Sequence, residues 1–325
     1  MNPFLRRLLS ALAALLLPLS SFADPVVTDV VAKQRYPWNG KVDIACTVSG
    51  LDEGRWTFSV AAVDPDSGDA TTVSHVQVVR DGVASNDLKV QANGNHHLVW
   101  DAAADLGEVV CSNMVVRVEV IERKVQLWEG GPYWAETNIG AEKPEDYGLY
   151  FWWGDIVGYR REGNVWVASD GSSSNFSFSS APTSGKSNST LQSEGWITAS
   201  GVLAPEHDAA RVHWGGAWRM PTITELNALV NNCDWSWTTR NGVNGYVVRG
   251  RGDYSANSIF LPAAGSGYRT SFYDAGSFGN YWSSVPNESY SSYAQYLFFD
   301  SGYHYSSSND RSDGRSVRPV QGFAQ

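Results

Sequence analysis

The side chains able to do covalent or metal chemistry fall into small, scattered groups. Glu206, His207 and Asp208, with His213 nearby, have the residue types of acid–base catalysis or metal ligation. They are consecutive in a short helical segment, where neighbours point to different faces and do not converge on one ion. Solvated acids at a helix start, favoured by its dipole, account for them better. His96 and His97 are adjacent in a strand-like run and face opposite ways. Asp64, Asp66 and Asp69 lack the Gly and bidentate Glu of a calcium loop and read as a turn. Arg251-Gly252-Asp253 matches the integrin-binding tripeptide, but such triplets arise often by chance, and a hairpin turn between 246–249 and 258–261 explains it. No nucleophile elbow, phosphate loop or zinc-protease helix motif is present. The expectation is a chain that is not an enzyme, with no cofactor and no metal.

Three cysteines occur. Cys46 and Cys111 lie in strand-like runs of one N-terminal segment and are the expected disulfide pair, in the oxidising compartments that export reaches. Cys233 is then a buried free thiol. Without a Cys-x-x-Cys pair or a His cluster, they make no zinc site.

What remains is recognition chemistry. Of the 51 residues in 266–316, 14 are Ser, 8 are Tyr, 5 are Gly and none is Lys. Tyr gives large rigid contact area, and Ser, Gly and Asn give adaptable hydrogen bonding, the composition of evolved binding surfaces. The expected aromatic anchors are Tyr268, Phe272, Tyr273, Tyr281, Tyr290, Tyr293, Tyr303 and Tyr305. The expected polar contacts are Arg269, Asn280, Asn287, Asn309, Arg311 and Asp313. Trp152-Trp153 and the pair Trp235 and Trp237 have the chemistry to stack on sugar rings, although core packing is the commoner fate of Trp. The expected function is therefore exported ligand recognition, of a protein or a glycan. The alternative is a carbohydrate-active enzyme or carbohydrate-binding module acting on extracellular polysaccharide.

These residues need a scaffold. Residues 1–23 have the basic start, apolar run and small-x-small cleavage site of a secretory signal peptide. That run is too short to span a bilayer, so direct membrane insertion is not expected. A net charge of −10 disfavours nucleic acid and anionic lipid surfaces. Residues 24–122 read as short alternating strands separated by turns, the pattern of an immunoglobulin-like β-sandwich. Residues 123–323 read as α+β. There, Pro221, Thr222 and Glu225 announce a helix over 223–230 with a capping box, and a helical turn is expected over 205–211. The loop 169–193 holds 11 Ser in 25 residues and cannot fold unaided. Tyr133-Trp-Ala and 317–320 are expected to pair as terminal strands. A hairpin is expected from 293–299 through Asp300-Ser-Gly302 to 303–306, over a core of Trp214, Trp218, Phe260, Trp282 and Leu297.

Six segments stand in a familiar order: Tyr133-Trp-Ala-Glu-Thr-Asn-Ile-Gly-Ala141, Tyr147-Gly-Leu-Tyr-Phe-Trp-Trp-Gly154, Trp214-Gly-Gly-Ala-Trp-Arg-Met-Pro-Thr222, Ile259-Phe-Leu-Pro-Ala-Ala-Gly265, Tyr281-Trp-Ser-Ser284 and Ser316-Val-Arg-Pro-Val320. Together they resemble the Fibrobacter succinogenes major paralogous domain, over about residues 128–323. The resemblance implies a C-type-lectin-like fold, shared with formylglycine-generating enzymes and the variable proteins of diversity-generating retroelements. Calcium-dependent sugar binding does not carry over, because Val285-Pro-Asn-Glu288 lacks the leading ligand and no Trp-Asn-Asp follows. Formylglycine generation does not either, since this region holds only Cys233. The variable proteins match better: Asn280, Tyr290, Tyr293, Tyr303, Tyr305, Asn309, Arg311 and Asp313 are residue types their diversified positions take, whereas Glu288 and Gln295 would have to be fixed.

Overall fold

The computed structural model describes residues 25–51, 56–64, 67–86, 88–107 and 115–322. The expected signal peptide, 1–23, and Cys111 lie outside the described residues. The chain is mainly β, in several antiparallel sheets.

Eight strands form the N-terminal part: β1 (Val26–Gln34), β2 (Lys41–Ser49), β3 (Trp56–Val63), β4 (Ala70–Thr72), β5 (Val76–Arg80), β6 (Val83–Ser85), β7 (Gly94–Asp101) and, after the short helix α1 (Ala102–Leu106), β8 (Val115–Glu122). They make two sheets, ordered β1-β2-β7-β5-β6 and β4-β3-β8. Strand geometry sends alternate side chains to opposite faces. Val42, Ile44, Cys46 and Val48 of β2 therefore meet Trp56, Phe58 and Val60 of β3 in one core, closed by Leu98, Trp100 and Val118. Cys46, expected in a disulfide, is a buried free thiol, which burial pushes up to about 11.

The rest of the chain builds on β9 (Lys124–Gln126), β10 (Tyr133–Ala135), β11 (Tyr159–Glu162), β12 (Val165–Ala168), α2 (Asn188–Ser193), α3 (Ala209–Trp214), β13 (Trp218–Arg219) and α4 (Ile223–Asn232). There follow β14 (Asp234–Arg240), β15 (Val243–Arg249), β16 (Ser258–Pro262), β17 (Ser266–Tyr268), β18 (Ser271–Tyr273), β19 (Gly279–Pro286), β20 (Tyr293–Phe299), β21 (His304–Asp310) and β22 (Val320–Gln321). The terminal strands do pair: Trp134 of β10 lies opposite Val320 of β22, with β13 on the other side of β22. Arg318, fully buried beside this seam, donates to Asn138 Oδ1 and to the carbonyls of Ala135, Glu136 and Phe260.

Helix α4 starts where the capping box places it. The Thr222 hydroxyl accepts the Glu225 N–H at 3.2 Å, and Glu225 Oε2 accepts the Thr222 N–H at 2.8 Å. Leu226 and Leu229 then reach the core formed by Trp134, Tyr246, Val248, Leu297 and Phe299.

Three local expectations change. The turn over 205–211 splits into a 3₁₀ turn, Pro205–His207, and α3. Asp208 between them is buried rather than solvated: its carboxylate accepts the N–H groups of Arg211 and Met220, tying α3 to β13. Trp214 is half-buried, edge-on to the buried Trp218 at 5.2 Å, because it ends α3 instead of entering a strand. The Ser-rich loop is held by contact: Phe176 stacks on Tyr159 at 3.6 Å, and Phe178 is buried. Gly267 and Gly314 make room for Phe178, since a Cβ on either would lie 2.7 Å or less from its ring.

Candidate ligand-binding face

The tyrosine-rich stretch folds into two units, the β17–β18 hairpin and the antiparallel sheet β19-β20-β21. The β20–β21 register, Phe299 opposite His304 through Tyr293 opposite Asp310, is that of a hairpin closed by the Asp300-Ser301-Gly302-Tyr303 turn. Asp300 Oδ1 shapes the turn by accepting the N–H groups of Gly302 and Tyr303, both at 2.8 Å.

Directly opposed residues in an antiparallel pair share a face. Gly279, Tyr281, Leu297 and Phe299 therefore point one way, into the core with Tyr246. Asn280, Trp282, Tyr296, Phe298, Tyr305, Ser307 and Asn309 point the other way. This second face is closed at one end, where Trp282, Ala294 and Tyr296 join a buried cluster with Phe151 and Trp153. It opens at the other, where Phe278, Phe298 and Tyr305 run in sequence at centroid distances of 5.3 and 5.2 Å.

Five of the eight expected aromatic anchors reach solvent. Tyr268, Tyr273, Tyr290, Tyr303 and Tyr305 expose between 46% and 69% of their surface. Tyr268 lies under the Arg269 guanidinium at 5.3 Å, and Tyr290 packs beside the half-buried Tyr293 at 5.6 Å. Arg269 has positive φ (53°) at the tip of the β17–β18 hairpin, where its backbone pairs with Phe178 while its side chain stays outside. Asn287 shapes the loop before β20 by accepting the Ser289 and Tyr290 N–H groups, at 2.8 and 2.9 Å.

Other expected contacts are interior. Tyr281 takes the inward side of β19: its ring stacks on Phe299 at 5.8 Å and its hydroxyl donates to the Pro262 carbonyl at 2.7 Å. Burial pushes that phenol up to about 12. Phe272 is half-buried, packed edge-on to Tyr150 and Trp166, each at 5.4 Å. Asn280 faces outward but is covered. Its Oδ1 accepts from Arg315 at 2.6 Å, and its Nδ2 donates to the Gly265 carbonyl. Arg315 in turn lies 3.9 Å over Tyr296 and pairs with Asp313 at 2.9 Å. Burial raises the Asp313 carboxyl, and the Arg315 charge opposes that rise.

Arg311 is the largest departure. It is fully buried, with its guanidinium 5.0 Å over Trp153. Nε donates to the Tyr293 carbonyl, and Nη1 to the carbonyls of Thr183 and Lys186. Burial lowers its pKa to about 10. It fastens the Ser-rich loop to the start of β20 and so positions Tyr290 and Tyr293. Composition gave no sign of this, because a stretch poor in Lys makes every Arg look like a surface contact.

The other sequence candidates make contacts within the fold. Trp235 and Trp237 pack edge-on to Tyr246 at 5.3 and 5.1 Å, and Trp235 also stacks on His304 at 4.5 Å. Trp153 is core, whereas Trp152 is half-buried beside Trp196. Arg251 of the Arg-Gly-Asp triplet is engaged by Asp234 at 2.7 Å and by the Asn231 and Cys233 carbonyls. Among the described residues no group of three or more His, Cys, Asp or Glu is placed to hold a metal ion, and no helix is long and apolar enough to cross a membrane.

A family model described as Domain of unknown function (DUF8237) matches residues 234–320, the stretch from β14 to β22. No curated protein and no solved structure matches the chain.

Proposed function

We propose that this is an exported recognition protein, without catalytic activity of its own, that binds a protein or glycan ligand through the tyrosines of 266–316. In this reading residues 24–122 form an immunoglobulin-like sandwich carrying a C-type-lectin-like domain over 123–323, akin to the Fibrobacter succinogenes major paralogous domain. The separate apolar core of the N-terminal sheets and the pairing of β10 with β22 support that division. The observation that carries the functional reading is selective exposure. Tyr268, Tyr273, Tyr290, Tyr303 and Tyr305 stand in water although Tyr281 and Tyr296 of the same stretch find places inside. Exposed rings gathered in one part of a chain mark interaction sites more than scattered ones do. Rigid two-torsion side chains also lose little entropy on binding.

The ligand contacts are therefore Tyr268, Arg269, Tyr273, Tyr290, Tyr303 and Tyr305, flanked by Tyr293, Asn287 and Asn309. Arg311, Asn280, Tyr281 and Phe272 support them from below. The test is an array of extracellular proteins and glycans, followed by oxidative footprinting of any complex found. Protection concentrated on the five exposed tyrosines supports the proposal. Protection confined to the N-terminal sheets, or turnover of an arrayed polysaccharide, refutes it.

A further inference from the structure

A cleft of about 480 Å³ opens where three parts of the chain meet: the β20–β21 turn, the loop before β19 and the β14–β15 hairpin. Trp237, Phe278 and Tyr303 line it with rings, and Ser277, Asp300 and Ser301 bring polar groups between them. The frame is fixed from behind. Asn244 accepts the Thr239 hydroxyl at 2.7 Å and donates to the Gly276 carbonyl at 2.9 Å, which ties the β14–β15 hairpin to the loop. Trp237 is held edge-on by Tyr246, and Phe278 by Phe298. Asp300 Oδ1 is occupied by two backbone N–H groups, so the carboxylate is oriented, and among the described residues none donates to Oδ2.

We infer that this cleft binds a saccharide ring. Its volume lies within the range of small-molecule sites. The C–H faces of a pyranose carry partial positive charge and are drawn to the negative faces of aromatic rings. Its hydroxyls both donate and accept, and so do Ser277 and Ser301, while Asp300 Oδ2 supplies a further acceptor. A simple ammonium cation fits less well. It would leave most of the cleft wet, and the Asp300 charge is already shared with two N–H groups. The site uses Trp237, which the exposed-tyrosine surface does not, and shares only Tyr303 with it. Either proposal therefore stands without the other.

Saturation-transfer NMR on the full chain tests the assignment, with methyl β-glucoside, methyl β-galactoside, methyl N-acetyl-β-glucosaminide and choline as probes. At least one glycoside should show saturable transfer to its ring C–H protons. Its affinity should fall at least tenfold in Trp237→Ala and in Asp300→Asn. The second variant keeps the Oδ1 acceptor that shapes the turn, so it decides the matter even if the first fails to fold. No binding by any glycoside, or binding unchanged in Asp300→Asn, overturns the inference. Choline bound in place of the glycosides and lost in Asp300→Asn also overturns it, by reassigning the cleft to a cation.

Discussion

Replacing Arg311 with Met separates its hydrogen bonds from its packing. The Met side chain retains the apolar stem beside Trp153 but removes three donors, those now serving the carbonyls of Tyr293 at 2.9 Å, Thr183 at 2.7 Å and Lys186 at 3.0 Å. A hydrogen bond to a charged group is worth roughly 1.5–3 kcal/mol, so the gross loss is several kcal/mol. Part of that is returned, because burying a guanidinium against carbonyl groups is costly in desolvation. The Tyr293 carbonyl also keeps the Asn287 N–H, and the Thr183 carbonyl keeps only a long contact, 3.4 Å, from the Lys186 N–H. The Thr183 and Lys186 bonds therefore dominate, and the net destabilisation should be about 2–3 kcal/mol. For a unit of this size that lowers Tm by roughly 5–10 °C. Hydrogen exchange should localise the damage, with amides of the Ser-rich loop and α2 exchanging faster while those of β15 and β16 do not. An unchanged Tm with unchanged exchange in the loop would show that Arg311 does not fasten it.

Three further expectations follow from individual side chains. Tyr281→Ala removes a buried ring and its hydroxyl bond, and should cost about 3–5 kcal/mol by chemical denaturation; a cost under 1 kcal/mol would place Tyr281 at the surface after all. Asp155 is buried, and desolvation pushes its carboxyl up to about 6 from 3.8. The folded state then binds more protons than the unfolded state between those values. The buried charge is thus a penalty of up to about 3 kcal/mol that is fully present above pH 6 and relieved as pH falls towards 4. Both Asp155 oxygens accept backbone N–H groups, from Val157 and Gly158, so Asp155→Asn gives up one acceptor at every pH. Relative to wild type it should nevertheless fare about 3 kcal/mol better at pH 7.5 than at pH 4; a pH-independent difference would contradict the assignment. Thr222→Ala deletes half the capping box and should cost about 1 kcal/mol in unfolding experiments, whereas a neutral change would mean that Glu225, also held by Arg219 at 2.5 Å, caps α4 alone.

Local signals were legible in the sequence, and cross-chain ones were not. The capping box over 222–225, the Asp300-Ser-Gly302 turn and the alternation of Val42, Ile44, Cys46 and Val48 each lie within a few residues, and each element formed where expected. The fate of Tyr281 depended on the register of β19 against β20, which sends odd-numbered β19 residues inward at that point and leaves Asn280 outward; composition does not encode a register. Arg311 depended on carbonyls at Thr183 and Lys186, more than a hundred residues earlier. The ordering of the Ser-rich loop likewise rested on Phe178 finding the gap between Gly267 and Gly314. The cleft of Trp237, Phe278 and Tyr303 joins three segments that only the fold brings together.

The proposal stands or falls on whether the exposed tyrosines carry binding energy rather than fold stability. A single variant, Tyr268, Tyr273, Tyr290 and Tyr305 all changed to Ser, leaves both Tyr303 and the Trp237 cleft intact. Its Tm and its binding isotherm against whatever protein or glycan the wild type captures should be measured on one preparation. Truncated anchors at the centre of an interface each cost on the order of 2 kcal/mol. Affinity should accordingly fall at least a hundredfold while Tm stays within about 3 °C. Retained affinity, or a collapse in Tm that takes binding with it, would contradict a recognition face built from these rings.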